Sequence, residues 1–505
     1  MEIVADGESL TIEQVVQVAR SLTPVRVELP ARFHAARELV LQKAHGQDPV
    51  YGINTGFGQL ATIRIPKEQV AELQRNLIMS HSAGVGDPVP TDVCRAMLLL
   101  RLNALAKGYS GVREELVRLI AEMLNRSVHP RIPSRGSVGA SGDLAPLAHL
   151  ALVLIGMGQA EYGGELLPGA TALSRAGLEP IRLEAKEGLA LINGTQLMTA
   201  YGALALFDAD RLVEAAEIAA ALSIEAFKGS ARPSDPRLQA VRPHPGQAAA
   251  AAHIHSLLAG SPIVESHQHD CPRVQDPYSL RCAPQVFGAV REGLDFARRI
   301  IQREINSATD NPLCFPDDGE VISGGNFHGQ PVALALDVAK LVLTQLGNFS
   351  DRRSYRLLST EFSGLHPFLA GNPGLNSGYM VAQYAAAALC AENQTLAVPA
   401  SLHSIPTSAG MEDFNSMGAT SAVHLRMIVE NVRRIVAVEL LCATQGVEER
   451  RPLRSTPALE AAIGCVRRVA PHLYTDRPLH PEIEAVAALI ADGTLQAEVQ
   501  EALEQ

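Results

Sequence analysis

From Leu425 onward the apolar residues fall at Leu425, Ile428, Val429, Val432, Ile435 and Val436, with Arg426, Glu430, Arg433 and Arg434 between them. That is the i, i+3, i+4, i+7 stripe of a helix packed along one face. It constrains the fold because it recurs. Ala203 to Phe227 reads as another long helix, rich in Ala and stopped near Gly229. Val332 to Asn348 and Gly378 to Asn393 look similar, and the small residues Ala385 to Ala388 allow close helix approach, as in a bundle. Glu430 and Arg434 are expected to form an i,i+4 pair. Strand signals are sparse; Glu161-Tyr162-Gly163-Gly164-Glu165 reads as a short hairpin turn. The expected fold is mainly α, a core of long bundled helices with a smaller, loop-rich N-terminal part.

The chain has 505 residues, 19% charged and 47% hydrophobic, the composition of an ordinary globular protein. Its net charge of −11 argues against a nucleic-acid partner. The start, Met1 to Glu8, is acidic and lacks a basic-then-apolar signal pattern, and no apolar run approaches the roughly 18 residues that span a bilayer. The seven cysteines are odd in number and contain no C-x-x-C pair, which points to reduced thiols in a cytoplasm. A soft boundary is expected near residue 110 and another near 450, where Glu449-Arg450-Arg451-Pro452 breaks the last long helix. The parts 1–110, 111–450 and 451–505 are read as one integrated catalytic unit rather than independent domains.

Residues Gly136 to Leu147 read Gly-Ser-Val-Gly-Ala-Ser-Gly-Asp-Leu-Ala-Pro-Leu. They do not form a P-loop, which ends in Gly-Lys-Ser/Thr, nor a hydrolase elbow, since Asp143 stands where its last Gly belongs. The plain alternative is a turn in which Ser141 or Asp143 caps a helix beginning near Leu144. A sharper reading rests on the triplet Ala140-Ser141-Gly142. In a tight bend the Gly142 nitrogen can attack the Ala140 carbonyl carbon, and glycine, lacking Cβ, permits that approach. Loss of one water closes a five-membered ring, and loss of a second from Ser141 leaves an exocyclic methylidene. The product is an electrophile, a kind of group ordinary side chains hardly provide.

This stretch resembles the signature of the aromatic amino acid ammonia-lyases, a family with members acting on histidine, phenylalanine and tyrosine, and with related aminomutases. Further blocks carry the same resemblance in family order. They are Tyr51-Gly52-Ile53-Asn54-Thr55-Gly56-Phe57-Gly58, Ser80-His81-Ser82-Ala83-Gly84, and Asn193-Gly194-Thr195-Gln196. They continue in Gln275-Asp276-Pro277-Tyr278-Ser279-Leu280-Arg281, Gly324-Gly325-Asn326-Phe327-His328, and Met411-Glu412-Asp413. The resemblance implies an ammonia-lyase/fumarase-like helical core. It also implies a 4-methylideneimidazol-5-one formed from Ala140, Ser141 and Gly142, with no diffusible cofactor and no metal. The partner it implies is a small amino-acid substrate, and the assembly a homotetramer whose sites combine residues from several subunits.

By the same resemblance Tyr51 is the base for the β-proton. A free phenol titrates near 10, so Tyr51 is expected to be depressed by positive charge or hydrogen bonds. Ser80-His81 looks like the pair with which the histidine-type enzymes read the substrate ring. Arg281 lies i+3 from Tyr278 and suits a bidentate grip on a carboxylate; Tyr278 is a proton carrier. Asn193, Gln275 and Phe327 line the prosthetic ring. Glu412 stands against the substrate ring, where phenylalanine and tyrosine enzymes commonly carry Gln. Phe414 departs from the pattern, since many histidine enzymes have His after the acidic pair. The implied reaction is deamination of L-histidine to trans-urocanate, the first step of histidine degradation.

Alternatives remain: a phenylalanine or tyrosine lyase or aminomutase on the same scaffold, or a helical scaffold without catalysis. A fumarase-like lyase lacks support, because the Gly-Ser-Ser loop leading to its Pro-x-Lys-x-Asn pattern is absent. The cluster His267, His269, Asp270, Cys271 matches no common zinc spacing and reads as a polar loop.

Overall fold

The computed structural model describes residues 2–46, 48–267 and 274–504. Helices dominate it, and four are long: Gln196–Ala226, Ala283–Ile305, Gln330–Leu357 and Gly418–Glu448. The first and last have 31 residues each, which at 1.5 Å per residue is about 46 Å. In Gln196–Ala226 the alanines 200, 203, 215, 216, 219, 220 and 221 are fully buried. A helix buried on several sides has no narrow apolar stripe to mark its ends. That explains why it begins at Gln196, earlier than the Ala203 expected from the sequence.

Contacts cluster into two compact units, neither of them contiguous in sequence. One comprises 1–207, 297–337 and 399–425, the other 208–296, 338–398 and 426–505. The four long helices each contribute residues to both.

The helix pattern meets the structure at three places. Arg434 does not pair with the Glu430 carboxylate: Glu430 takes Arg426 at 3.2 Å, and Arg434 takes Glu484 at 2.8 Å. Arg434 reaches Glu430 only through that residue's backbone carbonyl. A partner from another helix outcompetes the local one, since exposed i,i+4 pairs are weak. Met380–Leu396 is a helix as expected, yet it buries only Ala382, Ala386, Cys390 and Asn393. Ala385 and Ala388 face outward. Finally, Gln330–Leu357 is long and apolar enough to cross a membrane by length and composition alone. It carries buried Asp337, which accepts from Ser421 Oγ at 2.6 Å, and buried Lys340, which donates to the Val398 carbonyl at 2.9 Å. Such satisfied buried charges belong to a core helix.

Strands are short and local. Gln159–Tyr162 pairs antiparallel with Glu165–Pro168 around Gly163-Gly164, the hairpin expected from the sequence. Leu313–Phe315 pairs with Glu320–Ile322 and delivers the chain into the Gly324–His328 loop.

Candidate active site

The Gly136–Asp143 loop enters the helix Leu144–Leu154, and its shape is set by Gly142. Gly142 has φ +76° and pairs in parallel with Gly194. A Cβ built on Gly142 would stand 2.1 Å from the Gly194 carbonyl oxygen, so only glycine fits. Asp143 occupies the N-cap position of the helix without a side-chain cap bond to it. Its backbone N–H donates to the Gly194 carbonyl at 2.6 Å. Its carboxylate instead accepts from Leu197 N at 2.9 Å and Met198 N at 3.1 Å, the opening turn of Gln196–Ala226, and from Ser137 Oγ at 2.8 Å. An anion at a helix N-terminus meets unpaired N–H groups and the positive end of the dipole. Complete burial still pushes the Asp143 carboxyl up to about 6, against the pull of these bonds.

Asn193 sits between the helices Glu187–Ile192 and Gln196–Ala226. Buried Arg101 holds the turn by donating to the carbonyls of Ala190 at 2.8 Å and Asn193 at 2.5 Å. The Asn193 side chain donates through Nδ2 to the Asn311 carbonyl at 3.0 Å. That bond settles which end of the amide is which, and it leaves Oδ1 buried without a donor, one residue from the Gly142–Gly194 contact.

The segment 404–418 lies against this loop. Ser416 Oγ donates to the Gly139 carbonyl at 3.1 Å, and Met417 N to that of Val138 at 2.9 Å. Glu412 is thereby brought to Ser141, whose hydroxyl donates to Glu412 Oε1 at 3.1 Å, while Thr407 Oγ1 donates to Oε2 at 2.6 Å. Tyr51 and His81 both lie within the field of Glu412. The half-buried Tyr51 ring meets Phe57 edge to face at 6.2 Å. The expectation of a depressed phenol is overturned. Burial pushes the Tyr51 hydroxyl above its ordinary value, the negative charge of Glu412 adds to this, and a hydrogen bond with the Gly58 backbone opposes it. His81 ends the helix Val70–His81, and its Nδ1 lies 3.1 Å from Ser80 Oγ. Burial pulls the imidazole below its ordinary value, against the Leu77 backbone and Glu412, so it favours the neutral form.

Tyr51, His81, Ala140, Ser141, Gly142, Asn193, Phe327 and Glu412 all belong to one compact unit. Phe327 sits half-buried in a turn whose Gly324 N–H donates to Asn311 Oδ1 at 2.7 Å. Gln275, Tyr278 and Arg281 belong to the other unit. There the Arg281 guanidinium lies 4.5 Å from the centre of the Tyr278 ring, the same-face arrangement expected from their spacing. Tyr278 is 69% exposed, Gln275 is exposed, and Arg281 Nε is buried without a partner. The segment is anchored by Asp276, which accepts from Ser230 N at 2.7 Å. His267 Nδ1 lies 3.3 Å from the Ile263 carbonyl; His269, Asp270 and Cys271 lie outside the described residues. Among the described residues no group of three or more His, Cys, Asp or Glu is arranged to hold a metal.

Sequence reasoning missed Arg101, Asn311, Thr407 and the anchoring role of Asp143. Arg101 carried a signal, because it is the lone charge within the apolar run from Ala96 to Leu105. Asn311 carried none, since Ser307 to Pro312 reads as an ordinary polar loop.

The model of the aromatic amino acid lyase family matches residues 10–468. Histidine ammonia-lyase of Stigmatella aurantiaca is 56% identical over 492 residues, covering 97% of this chain and 96% of that protein. The crystal structure of histidine ammonia-lyase from Trypanosoma cruzi superposes with a TM-score of 0.92 at 42% identity, over 99% of this chain and 96% of that one. That of a tyrosine aminomutase from Streptomyces globisporus superposes with 0.93 at 41% identity, over 99% of each chain.

Proposed function

This chain belongs to the aromatic amino acid lyase family, and from that premise we propose that it eliminates ammonia from L-histidine to leave trans-urocanate. The observation that carries the substrate choice is the polar site around Ser141, where Glu412 accepts from the Ser141 hydroxyl and His81 stands within the same field. An imidazole ring has one N–H to give and one nitrogen that accepts. A carboxylate and a neutral imidazole match those two needs; a phenyl ring would leave both protein groups unanswered. The similar tyrosine aminomutase scaffold makes an aromatic substrate the second reading, and Glu412 weighs against it.

Ala140, Ser141 and Gly142 are the residues that would supply 4-methylideneimidazol-5-one, with no diffusible cofactor. Two observations fit them to the task. The Gly142–Gly194 approach excludes any side chain, and the buried Asn193 Oδ1 waits for a donor beside it. Once formed, the group supplies an electrophilic carbon that takes up an amine lone pair. The other work falls to side chains. Tyr51 as phenolate removes the β-proton; its raised value means that this form gains ground only as the solution becomes alkaline. His81 and Glu412 hold the imidazole. Arg281 grips the carboxylate with two parallel N–H donors, Tyr278 carries a proton, and Asn193, Gln275 and Phe327 line the prosthetic ring.

The family resemblance further supports a homotetramer whose sites draw on several subunits. Val381 and Tyr384, 60% and 59% exposed on Met380–Leu396, are large side chains suited to burial in such an assembly. Buried, unpaired Cys94, Cys314, Cys390, Cys442 and Cys465 are consistent with work in the cytoplasm. The test is to give the purified protein L-His, L-Phe and L-Tyr separately and to watch for the ultraviolet band of each acrylate. A band from histidine alone is expected. Equal efficiency with tyrosine overturns the substrate assignment in favour of the aromatic reading.

A further inference from the structure

The motif Gly324-Gly325-Asn326-Phe327-His328 ends in a histidine that the proposed chemistry does not employ. His328 Nε2 lies 3.0 Å from the Phe414 carbonyl oxygen, and its Nδ1 lies 3.3 Å from the Gln330 backbone nitrogen. A carbonyl oxygen only accepts and a backbone N–H only donates. Nε2 therefore carries the hydrogen and Nδ1 is bare, so the two bonds select one neutral tautomer. The same ring lies nearly parallel to the Phe414 ring, 6.2 Å between centres and 14° apart.

One side chain thus joins two loops. The first carries Phe327, the residue before His328; the second carries Glu412, two residues before Phe414. The start of the first loop is held separately. Asn311 Oδ1 accepts from Gly324 N at 2.7 Å, and the Asn311 carbonyl accepts from Asn193 Nδ2 at 3.0 Å. The exit is where His328 acts. A cavity of about 590 Å³, with Lys107, Glu304, Asn326 and His328 in its lining, opens beside this exit. On that side the loop lacks the packed neighbours that would fix it.

We propose that His328 is a positioning residue: by clasping the Phe414 carbonyl it holds the Phe327 wall in register with the Glu412 carboxylate. This role rests on those given above to Phe327 and Glu412. It also gives Phe414 a task. Its side chain covers the His328 ring, and its carbonyl, which any residue there would supply, takes the hydrogen bond. The place where this chain departs from its family's pattern is therefore the other half of the clasp.

The experiment compares His328→Ala with His328→Gln, whose amide offers one donor and one acceptor in place of the imidazole pair. Misplacing a binding group by about an ångström costs up to roughly a hundredfold in rate, so His328→Ala should lower kcat/KM for histidine by about tenfold to a hundredfold. The loss should appear mainly in KM, because Glu412 reads the substrate ring. His328→Gln should recover to within roughly threefold of the wild type, since both bonds can reform. Hydrogen exchange followed by mass spectrometry supplies a readout that needs no turnover. Residues 323–329 and 404–416 should exchange faster together in His328→Ala and return together in His328→Gln. Unchanged kcat/KM in His328→Ala overturns the proposal. So does a Gln variant no better than Ala, or faster exchange in only one of the two segments. Wild-type protein that leaves histidine untouched would sink the substrate assignment instead, and paired exchange would still report the clasp.

Discussion

Asp143 and Glu412 are two carboxylates beside the same tripeptide, and they are held by different kinds of donor. Asp143 is fully buried and takes two backbone N–H groups, those of Leu197 and Met198, together with the Ser137 hydroxyl. Glu412 is half-exposed and takes only hydroxyls, Ser141 at one oxygen and Thr407 at the other. Backbone donors in a helix cannot turn away; hydroxyl hydrogens rotate to suit whatever faces them. The first carboxylate is therefore built to fix a backbone shape, and the second to exchange one partner for another. The site thus divides into a floor that shapes the loop and a rim that meets the substrate.

The floor should break completely when its backbone fit is lost. Gly142→Ala forces a methyl group to 2.1 Å from the Gly194 oxygen at a φ of +76°. Intact mass of the wild type should fall short of the encoded mass by two waters. Gly142→Ala should restore both, with activity reduced by a thousandfold or more on the order of the catalysis a lost covalent group removes. Ser141→Ala should restore one or both waters and abolish turnover while the fold survives. A wild-type mass equal to the encoded one would sink the electrophile outright.

The rim should lose rate and keep the ring. Tyr51→Phe should leave the two-water deficit in place and lower kcat/KM by roughly a hundredfold to ten-thousandfold, the usual worth of a general base. The wild-type profile should climb as pH rises, because the phenol is pushed above its ordinary value and the reacting amine must also be unprotonated. A profile that peaks below pH 6, or a Tyr51→Phe enzyme of normal rate, contradicts the base assignment.

A smaller effect belongs to Glu412. Glu412→Gln keeps an acceptor and loses the charge, so histidine turnover should fall by about tenfold to a hundredfold. His81→Leu combined with Glu412→Gln should bring phenylalanine or tyrosine closer to histidine in kcat/KM. If the double variant discriminates as strongly as wild type, the rim does not read the ring.

Floor and rim were unequally legible in the sequence. The long helices announced themselves through apolar spacing, since packing repeats along a face; Gly418–Glu448 ends where Glu449 to Pro452 foretold. The chemistry-bearing blocks stood out by residue type, and eight of the named residues fall in one compact unit. What stayed hidden were partners distant in the chain. Asp143 serves a helix that begins at Gln196, and Arg101 ties down a turn at Asn193. Neither bond leaves a local pattern. The Tyr51 value was misjudged for the same reason: the sequence shows no positive charge or carboxylate next to it, whereas the fold brings Glu412 near.

The smallest prediction tests the floor by itself. In the fold the Asp143 carboxyl is pushed up to about 6 by burial, against roughly 3.9 in an unfolded chain. Between those values the folded state holds more protons than the unfolded one, so stability falls as pH rises from about 4 to about 6. Asp143→Asn removes the charge without stranding a donor. Its Oδ1 can take the Leu197 and Met198 N–H groups, while Ser137, whose hydroxyl accepts as readily as it donates, can receive the new Nδ2 hydrogen. The comparison belongs in a Ser141→Ala background, so that ring formation cannot differ between the two proteins. Urea midpoints at fixed protein concentration should show the protein that keeps Asp143 losing stability relative to the Asp143→Asn variant as pH rises, by at most about 3 kcal/mol in all. The gap should open across pH 4 to 6 and stay constant above it. A gap that is flat over that range, or that closes as pH rises, would mean that the backbone donors outweigh burial and that the floor carboxylate is ionised throughout.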